Sequence, residues 1–362
     1  MRCGRCLGLI ALFLALASPP ARHAVEAALL LADLAGHPFP SAEISRERIT
    51  YAVDGRSHAA DLYGGERPRA SLVLVPGAAA AGGDDPRLVA LAGTLARAGW
   101  RVLVPDNPQA RALRLSPQDT TGIADAVRHV TRDGGRTAVA AISYAAVPAV
   151  LAALEPGIAR RVAVIAAIGP PFDAKRVVTF FTTGFWRPSS ADPWRRLDPN
   201  AYGKWVFVLG NAQRLTDSGD RVLLAAIARR KLAEPVAIID DLTSRLGPQG
   251  RSVMALLDND RPDRVPDLIA ALPEGVVADM DGLDLARRDL SGLEAELLVI
   301  HGADDRIVPV GEGIALAGAA PRSRLYLLDN LAHADLGAAR PGDAVTLWRA
   351  AYRLLEWRDG ME

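Results

Sequence analysis

The chain has 362 residues, enough to bury a full core as one large domain or two small ones. Its 42 lysines and arginines balance its 42 aspartates and glutamates, so there is no net electrostatic reason to seek nucleic acid or an acidic membrane surface. Its two cysteines, Cys3 and Cys6, stand at the amino terminus, so a chain processed beyond them has no thiol for disulfides, cysteine catalysis or thiolate metal ligation.

The first elements read as a leader. Met1-Arg-Cys-Gly-Arg5 is basic, Cys6 to Ala17 is almost unbroken apolar sequence, and Ala15-Leu-Ala17 puts small residues before a Ser-Pro-Pro break. This is the layout of a secretory signal, and it predicts export to a periplasm or the exterior, with residues 1–24 as the leader. The apolar run falls short of the roughly 20 residues that span a bilayer. A second apolar stretch, Ala24 to Ala35, carries the alternative reading of an uncleaved anchor and membrane association through the N-terminus.

Arg48 to Tyr63 reads as two strands around an Asp-Gly turn. Ser71 to Pro76 is a buried strand, residues 85–98 are helical, and Arg101 to Pro105 is a strand again. Ser116 to Arg132 is a helical pattern opened by Ser-Pro, followed by the strand Thr137 to Ile142, a further helix and the strand Arg161 to Gly169. Strands alternating with helices, each strand apolar throughout, predict an α/β fold with a mostly parallel sheet covered on both faces. From Pro170 to about Gly292 the alternation stops. Residues 217–231, 234–246, 249–258 and 263–272 read as helices between Gly and Pro breaks, and the strand rhythm returns at Glu296. The block at 171–291 therefore reads as a helical cap inserted into a core of residues 45–170 and 292–362.

Three residues carry chemistry in this frame. The strand at Thr137 ends on Ser143 and runs without a loop into an alanine-rich helix, the layout of a nucleophile elbow, with the small residues Ala141 and Ala145 two positions to either side. A second buried strand, Leu297 to His301, ends in a loop carrying Asp304 and Asp305 before Val-Pro. A third strand-like run, Arg324 to Leu328, is followed by His333. A serine hydroxyl needs a base, an imidazole near neutrality serves as one, and a carboxylate orients the imidazole. His301 reads as a packed residue ahead of the acid loop.

In the Ala-Ile-Ser143-Tyr-Ala elbow, the Gly302-Ala-Asp-Asp305-Arg-Ile-Val-Pro loop and the order serine, acid, histidine, the chain resembles the α/β-hydrolase superfamily over most of residues 48–170 and 292–357. The resemblance implies Ser143 as nucleophile, His333 as base and Asp305, rather than the turn-capping Asp304, as the orienting acid. It also implies an oxyanion hole from the backbone N–H groups of Tyr144 and Ala78, the latter in a Pro-Gly loop where relatives often carry His-Gly. The expected activity is cleavage of a carboxylic ester, thioester or lactone through an acyl-enzyme, with no cofactor and no metal. A peptidase or amidase of the same fold, or a non-catalytic envelope scaffold, is the alternative. Aromatic residues cluster between Phe172 and Phe207, and Phe185 and Trp186 are the expected wall of an apolar acyl pocket, with the cap's own small core or a membrane-facing surface as the alternative readings of the cluster.

Overall fold

The computed structural model describes residues 18–37, 44–65, 67–331, 333 and 341–361. Of the leader read at residues 1–24, residues 1–17 lie outside them, and Pro19 to Ala24 fall in the helix Pro19–Leu34. Eight strands form one sheet: β1 (Ser45–Val53), β2 (Arg56–Gly64), β3 (Ala70–Val75), β4 (Trp100–Pro105), β5 (Thr137–Ile142), β6 (Val162–Ile168), β9 (Glu296–Gly302) and β10 (Ser323–Leu328). A two-stranded ribbon, β7 (Phe185–Trp186) with β8 (Arg195–Arg196), stands apart from it. The sheet order is β1-β2-β4-β3-β5-β6-β9-β10, antiparallel at β1–β2 and β2–β4 and parallel from β4 onward.

The hairpin turns at Asp54-Gly55, both at positive φ (48° and 78°), the backbone that a two-residue hairpin demands and that Asp-Gly supplies at low cost. Alternation along the central strands feeds two cores. In β5, Val139 and Ala141 face the layer formed by helices Asp119–Val130, Ala146–Leu154 and Val310–Ala319. Ala138 and Ala140 face the opposite layer of Pro19–Leu34, Pro86–Arg97 and Ala344–Asp359. Both faces are covered, which is why the central strands are apolar at most positions.

The stretch read as an alternative anchor is part of this second layer. Pro19–Leu34 buries His23, Ala27 and Leu30 and lies against the C-terminal helix. Arg22 and His23 reach Asp359 at 2.6 and 2.8 Å, and the Trp348 indole donates to Ala24 O at 2.9 Å. No helix among the described residues is long and apolar enough to cross a membrane.

Between β6 and β9 the helices have their own core, which includes Phe181, Trp205, Leu224, Leu256 and Val276. Three observed helices, Ser218–Ala233, Pro248–Leu257 and Val265–Ala270, match the expected ones closely. The expected helix at 234–246 does not form beyond the short Asp240–Thr243 turn, because Pro235 pushes Glu234 out of the helical region (φ −142°, ψ 98°). Ala174–Thr183, Tyr202–Asn211 and Glu274–Gly282 are helices that the periodicity did not single out. The helix expected from Ser116 starts instead at Asp119, with Ser116-Pro117 in the turn before it.

Candidate active site

The elbow is visible in the backbone. Ser143 leaves β5 at φ 55°, a left-handed conformation that costs a non-glycine residue energy and is held here by the strand before it and the helix after it. The neighbours need small size but no special backbone: Ala141 is paired in β5 and Ala145 has φ −61°. That is why alanine serves at both places. Both are buried against the core. The loop after β3 passes directly over this turn, and a Cβ on Gly77 would stand 3.1 Å from Ile142 O and 3.5 Å from Ser143 Cβ, so glycine allows the close approach without crowding the turn.

Three side chains converge. His333 Nε2 lies 2.9 Å from Ser143 Oγ, and His333 Nδ1 lies 2.9 and 3.0 Å from the two carboxylate oxygens of Asp305. With the Nδ1 proton donated to the acid, Nε2 is left as an acceptor for the serine hydroxyl. Asp305 is almost wholly buried, and its Oδ1 also accepts from the N–H groups of Ile307 (2.8 Å) and Val308 (3.0 Å). Burial opposes its ionisation, but hydrogen bonds from His301 and His333 outweigh that and hold the carboxyl well below the usual range. Asp304 points elsewhere and accepts from Leu331 N at 2.9 Å, which ties down the segment leading to His333. Residue 302 must be glycine, since a Cβ there would collide with the Leu331 backbone.

The other expected residues divide. Ala78 and Tyr144 line the same cavity as Ser143 and His333. The Tyr144 phenol is turned away into the protein, 2.7 Å from Asp119 Oδ2 and 2.9 Å from Ser116 O, and it accepts from Ser116 N at 2.8 Å. Burial, with the Asp119 charge adding to it, pushes this phenol far above its ordinary value, so it acts as a neutral brace for the elbow. Tyr202, which the sequence reading did not place in the site, donates to Ala78 O at 3.0 Å and so fixes the loop after β3 from the inserted helices. No local motif announces it.

Phe185 and Trp186 are the correction. They do not line the cavity. The β7–β8 ribbon turns them aside: Trp186 packs with Phe180 and Val310 over Gly311, and Phe185 meets Trp194 edge-on at 6.4 Å beneath Arg196. The cavity, about 1410 Å³, is walled instead by Phe172, Phe181, Tyr202, Trp205 and Phe207 from the same aromatic-rich stretch, with Met280 from further along. Proximity in sequence grouped the aromatics, and the chain reversal at Gly184 (φ 76°) separated them.

No family model and no curated protein matches the sequence. Among solved structures, the chain resembles a proposed hydrolase from Legionella pneumophila at 14% identity and a TM-score of 0.56, covering 91% of this chain and 94% of that one. A proposed lipase from Acinetobacter baumannii (14%, TM-score 0.49, 92% and 96% covered) and a bacterial membrane phospholipase A (17%, 0.48, 98% and 97%) are further neighbours. Together with the strand order and the strained residue at the end of β5, the Legionella structure establishes that this chain has the α/β-hydrolase fold.

Proposed function

We propose that the chain is a serine hydrolase that cleaves an ester-type bond, a carboxylic ester, thioester or lactone, on a substrate with an apolar acyl group. The observation that carries this reading is the unbroken chain of contacts from Ser143 Oγ through His333 to the buried Asp305. His333 takes the hydroxyl proton as Ser143 attacks the acyl carbonyl, and Asp305 stabilises the imidazolium that results. The N–H groups of Ala78 and Tyr144 hold the oxyanion, and the imidazolium then protonates the departing alcohol or thiol. Water, activated by the same His333, releases the acyl group and restores the serine. No step calls for a cofactor.

The inserted helices act as a cap that shapes the acyl site, supported by the aromatic residues they turn toward Ser143. The core comprises residues 45–170 and 292–362, with the cap between. Export follows the basic-then-apolar amino terminus, with removal after Ala17 leaving the docked helix at Pro19 intact. The test is turnover of p-nitrophenyl esters by the wild type and by Ser143→Ala. Activity that falls by about three orders of magnitude or more in a folded variant supports the reading. Equal rates in the two proteins refute it.

A further inference from the structure

Next to the main cavity lies a second, smaller depression of about 500 Å³, and Leu232 borders both. Its floor is apolar, with Leu113, Leu209 and Ala225. Arg111, Arg114 and Arg229 stand around it, and no acidic side chain lines it. Arg111 has a carboxylate at 3.5 Å, Asp106, whereas Arg114 and Arg229 carry no ion pair among the described residues. The helix that supplies Arg229 ends at Ala233, and the chain continues as Pro235-Val-Ala-Ile-Ile239. Pro235 lines the main cavity, while Val236 and Ile238 stand 84% and 77% exposed.

This protruding loop is braced. Arg230 donates to Ile238 O at 3.0 Å and pairs with Asp241 at 2.6 Å, and the Lys231 ammonium donates to Pro235 O at 3.2 Å. Glu234 and Asp240 also flank the loop, but the Arg230 pairing neutralises Asp241, and in the depression Arg114 and Arg229 keep their charge without a paired carboxylate among the described residues. Two branched aliphatic side chains held out in water beside unpaired guanidinium groups match the two layers of a phospholipid surface: anionic headgroups, then acyl chains.

We propose that this rim of the cavity is a docking surface for an anionic phospholipid bilayer, with headgroup phosphates in the arginine-ringed depression and Val236 and Ile238 in the acyl layer. The contact is independent of the amino-terminal segment and of any chemistry at Ser143, because binding needs no turnover. The full chain is sedimented with vesicles of phosphatidylcholine alone or mixed with phosphatidylglycerol. Arg114→Ala combined with Arg229→Ala should lower partition onto the mixed vesicles by about tenfold or more and leave partition onto phosphatidylcholine unchanged. Val236→Ser combined with Ile238→Ser should weaken partition onto both, by about tenfold. Circular dichroism and the unfolding midpoint identify any variant that fails to fold. Wild-type binding retained by both folded variants would place the contact elsewhere in the chain and overturn the proposal. So would a wild type that binds neither vesicle.

Discussion

The sheet and the inserted helices contribute to the site in different ways. On the sheet side each of the three proposed catalytic groups is fixed by neighbours in its own loop: Ser143 by the strained turn, Asp305 by the N–H groups of Ile307 and Val308, and the segment before His333 by Asp304. Among the described residues the helical side makes no hydrogen bond to those three side chains and is joined to the sheet side through a few polar clasps. Glu312, at the start of a core helix, accepts from the N–H groups of Phe172 (3.0 Å) and Asp173 (2.7 Å) and from Arg176 (2.9 Å). Arg306 reaches Asp198 at 2.6 Å, and Tyr202 holds Ala78 O. On the proposed function, chemistry and selectivity rest on separate supports, and substitutions should sort into separate classes.

The largest effect belongs to the sheet side. Asp305→Asn should lower kcat by about three to four orders of magnitude while KM for a short ester changes little, because the amide oxygen stays on the N–H groups of Ile307 and Val308 and the amide nitrogen, a donor, faces Nδ1 and leaves the imidazole in the wrong tautomer. A variant with near wild-type kcat would break the division at its strongest point.

The clasp between the halves comes next. Burial pushes the Glu312 carboxyl up to about 7 against the pull of Arg176 and the two backbone donors. A carboxyl raised on folding contributes its full stability below the ordinary glutamate range and loses it as pH rises through about 7, a change on the order of 3 kcal/mol. The wild-type unfolding midpoint should therefore fall between about pH 5 and pH 8, and Glu312→Gln should flatten that fall. Equal slopes in the two proteins would remove Glu312 from the account.

On the helical side, Phe207→Ala should reduce kcat/KM for medium-chain p-nitrophenyl esters relative to the acetate by about tenfold, in line with roughly 0.8 kcal/mol for each methylene that loses its contact. Phe185→Ala should leave that ratio unchanged, and a shift as large as that of Phe207→Ala would restore Phe185 to the acyl wall. The smallest expected effect is that of Asp304→Asn, which keeps the oxygen that accepts from Leu331 N and should cost only a few-fold in kcat.

The sheet side was legible in the sequence because its signals are local. A continuous apolar strand followed by serine between alanines, an acid loop before Val-Pro and an Asp-Gly hairpin each specify a backbone, and the observed strands follow them. The choice between adjacent acids was legible too, and the structure turns Asp305 toward His333 and Asp304 toward Leu331. The helical side was legible only as helices. Which aromatics face the cavity depends on the reversal at Gly184 and on packing over Gly311, contacts between residues far apart in sequence. Tyr202 was legible as one of the clustered aromatics, but its clasp on Ala78 O and that of Glu312 were not, because each acts on backbone groups more than a hundred residues away. The apolar stretch from Ala24 to Ala35 carried no mark of its partner, the C-terminal helix.

The most direct measurement is labelling of the folded protein with a fluorophosphonate, followed by peptide mapping, since the reagent modifies a serine only when a base has activated it. The account predicts one label per chain, on Ser143, lost on denaturation and lost in His333→Ala. An unlabelled protein shown to be folded, or a label on any other serine, would contradict it.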